Sequence, residues 1–137
     1  MSTLSQKLKM KKAKLLYADF IKASKRLKEI AAKPFSMVNR DATIKRFEFT
    51  FEVAWKLIKT IVELEGFKTA SPKSAIRQAA DIGLIDNPKR WFDFLESRNL
   101  TVHMYKEKVA EAVYPEAKKF VQFIDQLLET AKVHLDS

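Results

Sequence analysis

From residue 39 to residue 65 the chain contains neither glycine nor proline, and its aromatic residues satisfy two incompatible templates at once. Phe47, Phe49, Phe51, Val53 and Trp55 alternate with mostly polar residues, the pattern of a half-buried strand. Ile44, Phe47, Phe51, Trp55, Ile58 and Val62 instead recur at helical spacing, and Glu52 precedes Lys56 by four residues, a favourable helical pair. No other segment supplies a partner strand, and a lone strand would leave its backbone N–H and C=O groups unpaired. The stretch therefore reads as a helix, stopped by Gly66 as the residue after its C-cap.

The other segments follow the same period. Ala13, Leu16, Phe20, Ala23, Leu27 and Ile30 form one face of a first helix, over about residues 5–33, which Pro34 ends. Ser71-Pro72 and Asn87-Pro88 each pair an N-cap with proline at the first helical position, so two shorter helices start there, and Gly83 closes the first of them. The last helix begins near Glu107 and carries Val113, Ala117, Phe120, Ile124, Leu127 and Leu135, with Pro115 inside it as an expected kink. The expectation is an all-α, up-and-down bundle of about five helices with a kinked C-terminal helix. No repeat or linker divides it, so residues 1–137 read as a single domain.

Composition removes several kinds of chemistry. The chain has no cysteine, which excludes a disulfide framework, a thiol nucleophile and Cys-ligated metal. Its two glycines are too few for a P-loop or a dinucleotide-binding turn. The net charge of +9 points to phosphates, acidic lipid or an acidic partner, but it is unevenly placed. Residues 1–33 hold nine Lys and one Arg against Asp19 and Glu29, and the remainder is nearly neutral. Lys7, Lys11, Lys14, Lys22 and Lys25 fall opposite the apolar face of the first helix, as a solvated face or as contacts to an RNA backbone. Neither a signal peptide nor a run of ~18 apolar residues is visible, so a cytoplasmic protein without membrane contact is expected.

Two histidines leave few catalytic options, and His134 reads as incidental, near a frayed end. His103 closes the stretch Arg98-Asn99-Leu100-Thr101-Val102-His103, followed by Met104 and Tyr105. Arginine and histidine beside a polynucleotide suffice for RNA cleavage. Neutral imidazole takes the proton of a ribose 2′-OH, while guanidinium stabilises charge growing on the phosphoryl oxygens. No metal-ligand cluster or cofactor site is legible. A single His at a helix end is also commonly a surface or capping residue. Five residues of ideal helix turn by about 140°. For Arg98 and His103 to cooperate, the helix must therefore end between them or a second subunit must help. Phe47, Phe51 and Trp55 read as core before they read as a base-stacking platform.

Arg46-Phe47-Glu48-Phe49-Thr50-Phe51-Glu52 and Trp55-Lys56 resemble the signature helix of the nucleotidyltransferase substrate-binding subunits, in the HepT-type branch of the HEPN superfamily. The likeness continues through Ser71-Pro72-Lys73, Ala75-Ile76-Arg77, Gly83-Leu84-Ile85 and Trp91 to Arg98-Asn99 and His103-x-Tyr105. It implies a two-fold homodimer whose Arg-x4-His segments face one cleft. It also implies a ribonuclease site of Arg98 and His103, with Asn99 as the polar residue following the arginine. The implied partner is an MNT-type nucleotidyltransferase antitoxin that adds AMP to Tyr105, and bulky anionic AMP beside the cleft would repel RNA phosphates. The sequence departs from the family at Met104, where Thr is common, and at Lys106, where an acidic residue is common. Glu107 can replace the latter at the helix N-terminus.

Three readings remain in view: a HepT-like toxin that cuts RNA, a non-catalytic substrate- or nucleotide-binding subunit of a nucleotidyltransferase, and a basic helical adaptor for nucleic acid.

Overall fold

The computed structural model describes residues 3–136, so Met1, Ser2 and Ser137 of the expected 1–137 domain lie outside it. Five helices follow one another: α1 (Leu4–Ala31), α2 (Met37–Leu64), α3 (Pro72–Asp81), α4 (Pro88–Leu100) and α5 (Glu107–Asp136). A single 3-10 turn, Thr101–His103, stands between α4 and α5, and no strand occurs among the described residues.

Local chemistry sets the ends. The Thr3 hydroxyl accepts from Gln6 N–H and the Gln6 side chain accepts from Thr3 N–H, so α1 starts in a capping box. The Ser36, Ser71 and Asn87 side chains accept the backbone N–H three residues on and start α2, α3 and α4. Gly66 and Gly83 have φ of +98° and +75°, where a side chain is disfavoured. After each, the next amide reaches back to the third-last helical carbonyl, Phe67 N to Val62 O at 3.3 Å and Leu84 N to Ala79 O at 2.8 Å. Both are Schellman ends. α5 runs uninterrupted through Pro115, whose missing N–H frees only the carbonyl of exposed Glu111.

α2 is the central helix and touches every other element. Its buried stripe includes Ile44, Phe47, Phe51, Leu57, Ile58 and Val62, which settles the strand-or-helix ambiguity through burial. Trp55 lies at the stripe's edge, half-buried, with the Lys59 ammonium 6.0 Å from its ring. Phe120 of α5 sits among four rings, with centroids 5.4 Å from Phe47, 5.7 Å from Phe51, 5.5 Å from Trp91 and 5.2 Å from Phe94. All are edge-on, the arrangement favoured by ring quadrupoles. The aromatic stripe is thus core. Phe49 is the exception: two residues on a helix rotate it by roughly 200° from Phe47, and it is 56% exposed.

Candidate functional site

Arg98 lies in the last turn of α4, where a cation suits the helix dipole. The chain then tightens into the 3-10 turn, so no regular helix joins Arg98 to His103. Arg98 reaches across to α2, with Nη2 3.1 Å from Glu52 Oε2, while its buried Nε meets no acceptor among the described residues. Glu52 also faces Lys56 at 3.7 Å, the pair expected from their spacing. One carboxylate therefore serves two cations.

Buried Thr101 ties the turn to the same face of α2. Its hydroxyl has one proton and two acceptors in reach, the Glu48 carboxylate and the Arg98 carbonyl at 2.7 Å. Lys45 approaches Glu48 from the other side at 2.9 Å. Burial by itself raises the Glu48 carboxyl, but the Thr101 hydroxyl, the Lys45 ammonium and the charge of Arg98 outweigh it and hold Glu48 below the ordinary carboxylate value. Glu48 and Glu52, one helical turn apart, thus form the wall against which α4 and the turn are registered.

His103 and Tyr105 project from this anchored turn. Both are exposed, Tyr105 by 76%, and their rings meet edge-on with centroids 6.2 Å apart. The Lys106 ammonium stands 5.9 Å from the Tyr105 ring. Among the described residues Arg98 and His103 share no hydrogen bond or ring contact: one is directed to α2 and the other to Tyr105. Asn99 is exposed beside Arg98.

The turn is held at its far side as well. Glu107, the first residue of α5, accepts from both terminal nitrogens of Arg40, which is 5% exposed and also bonds Asp41. The hydrogen bond from Arg40 outweighs partial desolvation and keeps the Glu107 carboxyl below its ordinary value. Glu107 is therefore the acidic group of the first turn of α5.

The five candidate lysines of α1 are all exposed. Lys22 and Lys25 border a groove between α1 and α2, whereas Lys7, Lys11 and Lys14 lie roughly two to four turns nearer the N-terminus. His134 is not incidental: its Nδ1 lies 3.0 Å from Glu65 Oε1 and joins the end of α5 to the C-cap of α2. Among the described residues no three His, Asp or Glu side chains converge as metal ligands, and no helix is long and apolar enough to cross a membrane.

Glu52 as the partner of Arg98, and Glu48 as the partner of Thr101, are the members of the site that spacing missed. Their i,i+4 placement inside the signature helix was visible in the sequence, but the helix they face was not.

Residues 15–133 match the family described as "Nucleotidyltransferase substrate binding protein like". The chain belongs to that family. A curated relative of this HepT-like group, "Probable ribonuclease HepT" of Haemophilus influenzae, is 31% identical over 91 residues. That match covers 63% of this chain and 62% of the relative. A solved structure from Thermus thermophilus superimposes with a TM-score of 0.76 at 37% identity, over 82% of this chain and 98% of the other. A second, from Haemophilus influenzae, is described as the fold of a substrate-binding domain of a nucleotidyltransferase. It superimposes at TM-score 0.65 and 23% identity, over 90% of this chain and 98% of that one, and its likeness is one of fold. The bundle expected from periodicity is thus the fold of this nucleotidyltransferase-associated family.

Proposed function

We propose that this chain is the toxin of a toxin–antitoxin pair: a homodimeric, metal-independent endoribonuclease using Arg98 and His103, silenced when a partner nucleotidyltransferase adds AMP to Tyr105. The observation that carries the reading is the anchored turn itself. Glu52 and Glu48 hold Arg98 and Thr101, and the turn they stabilise presents His103 and Tyr105 together to solvent. The similarity to a relative named as a ribonuclease supports the same reading.

In this mechanism the His103 imidazole removes the 2′-OH proton and the 2′-oxygen attacks phosphorus. The bond from phosphorus to the 5′-oxygen breaks, leaving a 2′,3′-cyclic phosphate and a 5′-oxygen protonated from solvent. Arg98 stabilises the charge on the non-bridging oxygens. Within one chain Arg98 bonds Glu52 and His103 meets Tyr105, and two copies of the segment facing one groove would bring both kinds of group to one phosphodiester. Asn99, exposed next to Arg98, adds a hydrogen-bonding group to the same rim.

Purified protein is expected to cut RNA in EDTA, and His103→Ala and Arg98→Ala to stop cutting while circular dichroism stays unchanged. Full cleavage by the His103→Ala protein removes His103 from the reaction.

The family description favours a second reading, a non-catalytic subunit that presents a substrate or nucleotide to the transferase. It predicts nucleotide binding only in the presence of the partner and no growth arrest when this chain is expressed alone. Arrest that requires Arg98 and His103 decides for the toxin.

A further inference from the structure

The face of α1 that carries Lys22 and Lys25 is not simply a solvated surface. It forms one wall of a groove of about 700 Å³, whose other wall is α2. Lys22, Lys25, Arg26 and Arg46 line it, with Glu29 as the one acidic residue and Phe49 as its aromatic surface. Among the described residues none of these four cations has a carboxylate within ion-pair distance, so the groove offers several cations that no carboxylate neutralises directly. Arg46 is held in place, its Nη1 donating to the Arg26 carbonyl at 3.0 Å.

We propose that this groove binds a short single-stranded RNA segment, with phosphates on Lys22, Lys25, Arg26 and Arg46 and one base stacked on Phe49. The volume lies within the ordinary range for ligand sites. Unneutralised cations beside an exposed ring are the two components of a single-strand platform, because every base has a π-face and every nucleotide a charge. A duplex keeps its bases stacked on one another and offers none to Phe49. The groove also adjoins the anchored turn. The Lys45 ammonium lies 5.1 Å from the Phe49 ring centroid and bonds Glu48, the same carboxylate that accepts from Thr101. A strand stacked on Phe49 is therefore two side chains away from the turn that carries His103. The proposal rests on the ribonuclease reading for its choice of RNA as the ligand.

The test measures fluorescence anisotropy of a labelled single-stranded RNA 12-mer and its duplex, using the full chain carrying His103→Ala so that nothing is cut. The single strand is expected to bind more tightly than the duplex. Phe49→Ala should weaken it by about 10-fold or more, and Phe49→Trp should restore it. Arg46→Gln with Lys25→Gln should flatten the dependence of log Kd on log salt by roughly 0.7 per charge removed. Unchanged affinity in Phe49→Ala overturns the proposal. So does a Phe49→Ala protein that keeps its RNA affinity but changes its sedimentation mass, a result that assigns the groove to a second copy of the chain. Phe49-dependent binding by a parent protein that never cuts RNA keeps the groove and ends the ribonuclease reading. Cleavage with the same KM in Phe49→Ala does the reverse.

Discussion

Arg98 of α4 is paired with Glu52 of α2, Nη2 to Oε2 at 3.1 Å, and the pair sets where the proposed cleavage site can stand. The carboxylate orients the guanidinium and also offsets part of its charge, so Glu52 both positions Arg98 and competes with any phosphate. Both side chains are about one-third exposed or less, which leaves the pair worth only about 0–1 kcal/mol to the fold. Its effect belongs to orientation.

Glu52→Ala is accordingly expected to lower kcat for RNA cleavage about 10-fold with little change in the urea midpoint. Glu52→Gln, which keeps an acceptor for Arg98, should retain most of the activity. Equal losses in the two variants, or none in either, remove Glu52 from a positioning role.

Thr101 and Glu48 govern the acid response of the same face. Glu48 and Glu107 are both held below the ordinary value of 4.5 in the folded chain. As pH falls below about 4.5, the unfolded chain protonates these carboxyls first, so it binds more protons than the native state and stability declines. The contribution is complete above that value and disappears as pH passes through the depressed native values. Thr101→Val removes the donor to Glu48. It should cost about 1–3 kcal/mol at neutral pH and flatten the acid limb of a stability–pH curve measured by urea denaturation, while Thr101→Ser preserves both.

Phe120 and Phe49 make a contrasting pair. Phe120→Ala empties the centre of four rings and should destabilise the bundle by about 3–5 kcal/mol in urea titrations. Phe49→Ala, at an exposed position, should stay within about 0.5 kcal/mol of the parent.

Tyr105 is open to a modifying enzyme, with its ring exposed beside His103. Co-expression with the cognate nucleotidyltransferase and ATP should place AMP on the tryptic peptide of residues 99–106. Tyr105→Phe should remain unmodified and toxic. AMP found on another peptide, with Tyr105→Phe still neutralised, moves the regulation elsewhere.

The elements themselves were legible because their signals are local. Ser71-Pro72, Asn87-Pro88, Gly66 and Gly83 act within a few residues, and the periods of α1, α2 and α5 announce which side is buried. The HepT-type pattern placed Arg98, His103 and Tyr105 on one segment for the same reason. The partners of that segment were not legible. Thr101 meets Glu48 across 53 residues of sequence, Arg98 meets Glu52 rather than His103, and His134 meets Glu65. Each depends on how far α2 is rotated about its axis and how α4 and α5 slide along it, and those are decided by the whole core packing around Phe120. Residue order alone was enough to make α2 a helix, with a basic α1 before it and the Arg98–Tyr105 segment at the end of α4. That the outward face of α2 brings Phe49 beside Lys45, Arg46 and the cations of α1 follows from packing, because a helix's second face acquires meaning from what lies next to it.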